Sequence, residues 1–212
     1  MHPRDDRVRN SKESDEQDRA SLDDASLDDA QATETIIRRA QEGETSALRA
    51  LYERHVTAVY RFMFYRTGDE MVAEDLTSQV FVNVLNGIHR YEIRGLPFRA
   101  WLFRIARARL ADYYRKAERQ AEGEASLIKA RAAVHSPGRA PDDQFRYENL
   151  RQALDYLTPA ELDAVLLRFV GDLTHREVAT IINSNENAVK SKIRRALTKM
   201  RRVIESIEDF NA

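Results

Sequence analysis

Seven lysines and arginines fall between Lys190 and Arg202 with no acidic residue among them, a density of cations that can follow a run of phosphates. The residues ahead of them indicate how they are presented. In THREVATIINSNENAVKSKIRRALTKMRR, residues 174–202, Thr174 and Glu177 have capping-box spacing, and Val178, Ile181 and Ile182 give the first turns an apolar face. Asn183-Ser184-Asn185 then interrupts the pattern. Asn tolerates the left-handed backbone of a tight turn, and Asn185 is a good N-cap for a second helix carried inward by Val189, Ile193, Leu197 and Met200. Two helices joined by a tight turn, the second basic along one side, outline a helix-turn-helix that reads duplex DNA. A solvated basic face is the ordinary alternative. The coincidence of the turn with the one-sided charge favours DNA.

A second basic stretch has different chemistry. In FRAWLFRIARARLADYYRK, residues 98–116, Phe98, Trp101, Leu102 and Ile105 lie at helical spacing and should face inward. Arg104, Arg107 and Arg115 fall on another stripe, with Tyr113 and Tyr114 near its end. Guanidinium groups beside aromatic rings suit a phosphate backbone with unstacked bases. Phe98 and Trp101 are read as plain core. The stretch Asp69 to Ile88 differs again: Val72, Leu76, Val80, Phe81, Val84, Leu85 and Ile88 cover more than one stripe, so a helix there should need partners on two sides. Its Glu74, Asp75, Ser78 and Gln79 form a small acidic and polar face suited to a basic protein surface.

Whatever positions these groups must be built from 212 residues, of which 33% are charged, with a net charge of −1. The near-neutral total hides segregation. Residues 1–34 hold five basic and eleven acidic groups, net −6; residues 94–120 hold eight basic and two acidic, net +6; residues 190–202 are net +7. No apolar run is long enough for a membrane span or a signal segment, so the chain is expected to be cytoplasmic without membrane insertion. It has no cysteine, which excludes disulfides and thiolate metal sites, and His2, His55, His89, His135 and His175 show no metal-ligand spacing. No cofactor, metal or catalytic residue is expected, and no triad, phosphate loop or metal cluster suggests an enzyme.

The organisation follows from periodicity and breaks. Residues 1–32 are polar, lack aromatic residues and repeat SLDDA in tandem at 21–30, which reads as a disordered acidic extension. Helical spacing begins with Leu48, Leu51, Tyr52, Val59 and Phe62 and is broken at Thr67-Gly68-Asp69 and at Arg94-Gly95-Leu96-Pro97. One helical domain is thus placed at 33–120. Residues 121–147 contain Ser136-Pro137-Gly138 and Ala140-Pro141 and read as a flexible linker, with a helical turn or two near Ser126 to Ala133. A second helical domain is placed at 148–208; it opens with Leu150, Leu154 and Leu157, and restarts at Thr158-Pro159-Ala160-Glu161, a capping box with proline at the first helical position. No segment alternates with period two, so the fold class is all-α.

Taken in series, AEDL at 73–76, FRAWLFRIAR at 98–107, DYYR at 112–115 and LTPAELDAVLLRF, LTHREVATIIN and NAVKSKIRRAL from 157 onward resemble the extracytoplasmic function (group IV) sigma factors of bacterial RNA polymerase. The resemblance covers roughly 34–120, as region two, and 148–204, as region four. It implies that the chain binds core polymerase, at the β′ clamp helices through region two and at the β flap through region four, and directs promoter-specific initiation. Carried over position by position, it places Glu74, Asp75, Leu76 and Gln79 against the clamp helices. Arg94, Arg99, Arg104, Arg107, Tyr113, Tyr114, Arg115 and Lys116 would meet minus-ten DNA, with the loop from His89 to Leu96 catching a base turned out of the stack. Glu186, Asn187, Lys190, Ser191, Lys192, Arg194 and Arg195 would line the helix that reads the minus-thirty-five element. An anti-sigma factor is an implied partner, beside core polymerase and promoter DNA, and stress response is the implied setting.

The match has departures. Ala108 stands where many relatives have Asn, Asn183-Ser184-Asn185 replaces the common Gly-Ile-Ser, and Ala188 replaces a frequent Thr. A sigma factor contributes binding energy, with phosphate contacts fixing register and base contacts specifying sequence, while the polymerase performs the chemistry. A 27-residue linker (121–147) could reach about 90 Å at about 3.3 Å per residue, beyond two helical turns of DNA at about 34 Å each; it also permits the two domains to associate. The competing reading is a helix-turn-helix regulator with a helical sensing domain. The basic, Tyr-bearing stretch at 98–116 weighs against it, since a sensing domain has no use for such a stripe.

Overall fold

A computed structural model describes residues 31–121 and 141–211. The acidic extension up to residue 30 and residues 122–140, including the expected turn near 126–133, lie outside the described residues. The chain divides into two compact units, 1–51 and 52–212. In the first, a helix over 31–41 (α1) turns at Gly43 and leads into the next helix; Ile37, Ala40, Ala47 and Leu51 are buried.

The remaining helices are α2 (Thr45–Thr67), α3 (Glu70–Gly87), α4 (Phe98–Ala121), α5 (Pro141–Asp155), α6 (Pro159–Phe169), α7 (His175–Ile181) and α8 (Glu186–Asn211), with a 3-10 turn at Ile88–Arg90. Among the described residues there is no strand, and the all-α class is the observed one. Helix α5 starts at Pro141, ahead of the residue 148 at which periodicity places the second domain.

Local chemistry sets the breaks. Gly68 takes φ +69°, a left-handed value open to glycine at little cost, and Asp69 caps the next helix by accepting from the Val72 N–H at 3.0 Å. Helix α3 buries one broad stripe of Ala73, Leu76, Thr77, Val80, Phe81 and Val84, chiefly against α4. Phe81 also meets Tyr52 of α2 edge-on at 4.8 Å, so α3 has a second partner, but Leu85, expected among the apolar positions, is 48% exposed, together with Val82 and Met71. In α4, Phe98, Leu102, Phe103, Ala106 and Leu110 are buried, and the Phe103 ring meets Phe62 of α2 edge-on at 5.5 Å. Phe103 belongs to the core although the inward stripe of the sequence omits it; Trp101 and Ile105 are only half-buried.

The C-terminal helices form a second core. Thr158 and Glu161 make the reciprocal capping box, with Pro159 at the first turn. Residues 161–167 of α6 are all buried, so this helix has no solvent face along that span. It packs on α8 on one side and meets the N-terminal helices on the other. At that meeting, Gly171 approaches α4 so closely that a Cβ on it would stand 3.2 Å from the Phe103 ring and 2.6 Å from the Leu167 carbonyl oxygen.

Candidate DNA and polymerase interfaces

The C-terminal helix-turn-helix is assembled by its own backbone needs. The Glu177 N–H donates to Thr174 Oγ1 at 3.2 Å, and the Thr174 N–H donates to the Glu177 carboxylate at 2.7 Å, satisfying two donors that an uncapped helix would leave orphaned. Asn183 takes φ 53°, and the Ser184 N–H donates to the Ala179 carbonyl at 2.8 Å, which closes the turn. Asn185 Oδ1 accepts from the Ala188 N–H at 2.8 Å. Val189, Ile193, Ala196 and Met200 anchor α8. Leu197, expected inward, is 41% exposed, because the buried series runs at +4, +3 and +4 and Ala196 occupies the inward position.

On the outer side of α8, Asn187, Lys190, Arg194 and Arg195 are exposed, while Glu186, Ser191 and Lys192 are partly covered. Glu186 and Lys190 pair at 2.6 Å, and that ammonium, through its hydrogen bond and charge, holds the Glu186 carboxyl below the usual carboxylate range. Lys199 does not belong to this surface. Its Nζ donates to both oxygens of Glu161 on α6, at 2.9 and 2.8 Å. The Lys199 hydrogen bond and then the Thr158 N–H draw the Glu161 carboxyl down to about 2.

Helix α4 presents Arg104, Arg115 and Lys116 to solvent, with Arg94 exposed in the turn ahead of it. That turn is stitched by the Tyr91 hydroxyl donating to the Leu96 carbonyl at 2.8 Å and by the Gly95 N–H donating to the Glu92 carbonyl at 2.9 Å, while the Tyr91 ring lies 5.0 Å from Trp101. Beneath it His55 is buried against Phe98, and burial, then the charges of Arg99 and Arg54, lower it to about 4, so it stays neutral. Tyr113 and Tyr114 meet edge-on at 5.5 Å, and the Tyr114 hydroxyl donates to the Arg66 carbonyl at 2.5 Å, which fixes that ring rather than leaving it free.

The arginines of α4 are not equally available: Arg104 and Arg115 are exposed, whereas Arg99 and Arg107 have partners elsewhere in the fold. Arg99 Nη1 donates to Asp172 at 2.8 Å. Arg107 Nε donates to Asp163 Oδ2 at 2.9 Å and its Nη1 to the Ile181 carbonyl at 3.5 Å. Arg115 pairs with Asp112 of the same helix. Asp163 also faces Arg66 Nη1 at 3.1 Å, an ion pair rather than an aligned hydrogen bond, and the same Nη1 donates to the Pro159 carbonyl at 3.3 Å. The Asp163 side chain is 10% exposed and that of Arg66 is 12%, whereas Asp172 is 67% exposed. An exposed pair contributes about 0–1 kcal/mol, but removing one partner of a buried pair costs about 3–5 kcal/mol, so Asp163 dominates this junction. Neither Arg66 nor Asp163 is among the site residues expected from the sequence. The available signal was one carboxylate inside the apolar run 162–167.

Glu74, Asp75, Ser78 and Gln79 are exposed on α3, and Gln79 Nε2 donates to Asp75 Oδ2 at 2.8 Å. Leu76, expected on this face, is buried at 3% exposure and supports it from beneath. The exposed stripe instead runs Met71, Asp75, Ser78, Val82, Leu85 at alternating +4 and +3 spacing, acidic and polar toward its start and apolar toward its end. No described helix is long and apolar enough to cross a membrane.

Comparison with known proteins accounts for this arrangement. The family model for Sigma-70 region 2 matches residues 51–120, and that for Sigma-70 region 4 matches 147–200, together more than half of the chain. The ECF RNA polymerase sigma factor BldN of Streptomyces coelicolor is 33% identical over 172 residues, covering 80% of this chain; the chain spans 64% of the length of BldN. SigX of Bacillus subtilis, also an ECF RNA polymerase sigma factor, is 29% identical, over 75% of this chain and 84% of SigX. Among solved structures, CnrH in complex with the cytosolic domain of CnrY shares the fold at a TM-score of 0.64 and 20% identity, over 82% of this chain and 98% of CnrH. RpoE of Bartonella quintana in complex with the anti-sigma factor NepR does so at 0.64 and 20%, over 74% and 96%. The chain therefore belongs to the sigma-70 family of RNA polymerase sigma factors, among its extracytoplasmic function (ECF) members.

Proposed function

We propose that this chain binds core RNA polymerase and directs initiation at a subset of promoters, acting in the cytoplasm as a group IV sigma factor without catalytic residues of its own. The observation that carries the reading is the pairing, in one chain, of a capped helix-turn-helix with an exposed basic face and a separate Arg- and Tyr-bearing helix, each within a sigma-family match. Glu186, Asn187 and Lys190, in the first turns of α8, reach base edges of the minus-thirty-five element, and Ser191, Lys192, Arg194 and Arg195 line the same groove. Arg94, Arg99, Arg104, Arg107, Arg115 and Lys116 follow the minus-ten backbone, and Tyr113 with the loop from His89 to Leu96 stacks on bases already splayed. Glu74, Asp75 and Gln79 dock on the β′ clamp helices, with Val82 and Leu85 extending the contact, and the C-terminal domain engages the β flap. The solved complex of RpoE with the anti-sigma factor NepR supports an anti-sigma factor as a further partner.

Transcription by purified core enzyme with and without the chain, on fragmented genomic DNA, tests this. Initiation at a discrete promoter set that requires the chain is the expected result. Sequence-specific DNA binding with no core-dependent initiation would instead identify a helix-turn-helix regulator.

A further inference from the structure

We propose that Asp163 is an intramolecular clasp that keeps the free chain closed, so that the C-terminal domain and promoter DNA compete for the same arginines of α4. The proposal rests on the reading of Arg99 and Arg107 as minus-ten contacts. Three observations carry it. Asp163 sits among apolar residues of α6 with its side chain only 10% exposed, and a carboxylate is costly to desolvate alone, so its burial is coupled to the guanidinium groups of Arg66 and Arg107 from the other domain. Arg107 spends its Nε on Asp163 and an Nη on the Ile181 carbonyl, donors that a phosphate would otherwise take. The surfaces also pack closely, since a Cβ on Gly171 would stand 3.2 Å from the Phe103 ring.

The chemistry suits a reversible contact. A buried ion pair gains little net energy over its hydrated partners, because desolvation offsets attraction, yet it is strongly selective for the geometry that forms it. When the domains part, Asp163 and Arg107 regain water, and Arg107 becomes available to DNA. Asp172, on the turn after α6, adds a weaker exposed contact to Arg99, so two of the α4 arginines are released by the same movement.

The chain has no cysteine, so Asn86→Cys with Ser206→Cys, both at exposed positions, provides the only two spin-label sites in the full-length protein. The parent is expected to give one narrow interdomain distance distribution, and Asp163→Asn a broader and longer one. Arg66→Gln removes the other end of the clasp without touching a DNA contact and should do the same, which guards against a folding defect peculiar to position 163. Affinity of the free Asp163→Asn chain for minus-ten DNA should rise at least about fivefold. Unchanged distance distributions in both variants would overturn the clasp. Opening in both variants without any gain in DNA affinity would retain the clasp, reject the competition, and reject Arg99 and Arg107 as DNA contacts.

Discussion

Two basic helices in this chain look alike in sequence and are presented differently. On α8 the outer face carries exposed Lys190, Arg194 and Arg195, and the one acid near them, Glu186, is a local neighbour one turn away. On α4 the corresponding groups have carboxylate partners contributed from elsewhere in the fold: Asp172 for Arg99, Asp163 for Arg107. A phosphate can approach the first surface by displacing water and the Glu186 side chain; at Arg99 and Arg107 on the second it must displace Asp172 and Asp163. The net charges of the two basic stretches, +7 over 190–202 and +6 over 94–120, cannot distinguish them. What separates them is that Arg99 and Arg107 of α4 take their counter-charges from residues distant in the chain, whereas Lys190 of α8 takes its own from one turn away.

The comparison depends on α4 being rigid, and Phe103 is what holds it. Phe103→Ala empties a fully buried site shared with Phe62 and faced by Gly171, and is expected to cost about 3–5 kcal/mol, measured by denaturant unfolding. A loss under 1 kcal/mol would mean that the ring does not anchor the junction. Docking comes next. Glu74→Lys with Asp75→Lys reverses an exposed acidic pair and should weaken core-polymerase binding by about 2 kcal/mol or more, with helical content unchanged; undiminished co-purification would remove the docking assignment.

Smaller effects sharpen the α8 side. Replacing Glu186, Asn187 and Lys190 by Ala should shift the preferred minus-thirty-five sequence, by about 1–2 kcal/mol of discrimination at the affected bases, as read from a promoter-library selection. An unchanged preferred sequence would show that bases are read elsewhere. Lys199, although inside the basic run, should behave as a structural residue: Lys199→Ala should lower stability by about 1 kcal/mol with little change in the salt dependence of DNA binding. The acid limb supplies a check. Glu161 titrates lower in the folded chain than in the unfolded one, so its contribution is present above about pH 4.5 and is lost as pH falls toward about 2; Lys199→Ala should flatten stability across that window.

Much of this was legible in the sequence because it is local. The two Thr-x-x-Glu boxes, the left-handed Asn183, the Asn185 cap and the Gly68 break follow from residues within four positions of one another, and each stands as expected. What escaped depends on packing. Leu197 and Leu85 fit an apolar pattern but face outward, Leu76 sits in a polar motif but faces inward, and Phe103 lies off the inward stripe yet is buried. Asp163 is the sharpest case, since its meaning depends on Arg66 and Arg107, far away in the chain, and no spacing rule encodes such a pairing.

The difference between the two helices is tested most directly by footprinting a promoter with the free chain and with the chain bound to core enzyme at the same salt. Free protein is expected to protect the minus-thirty-five element alone, and the core-bound protein both elements. Equal protection of the minus-ten element by the free chain would contradict the account, because it would mean that Arg99 and Arg107 are already available.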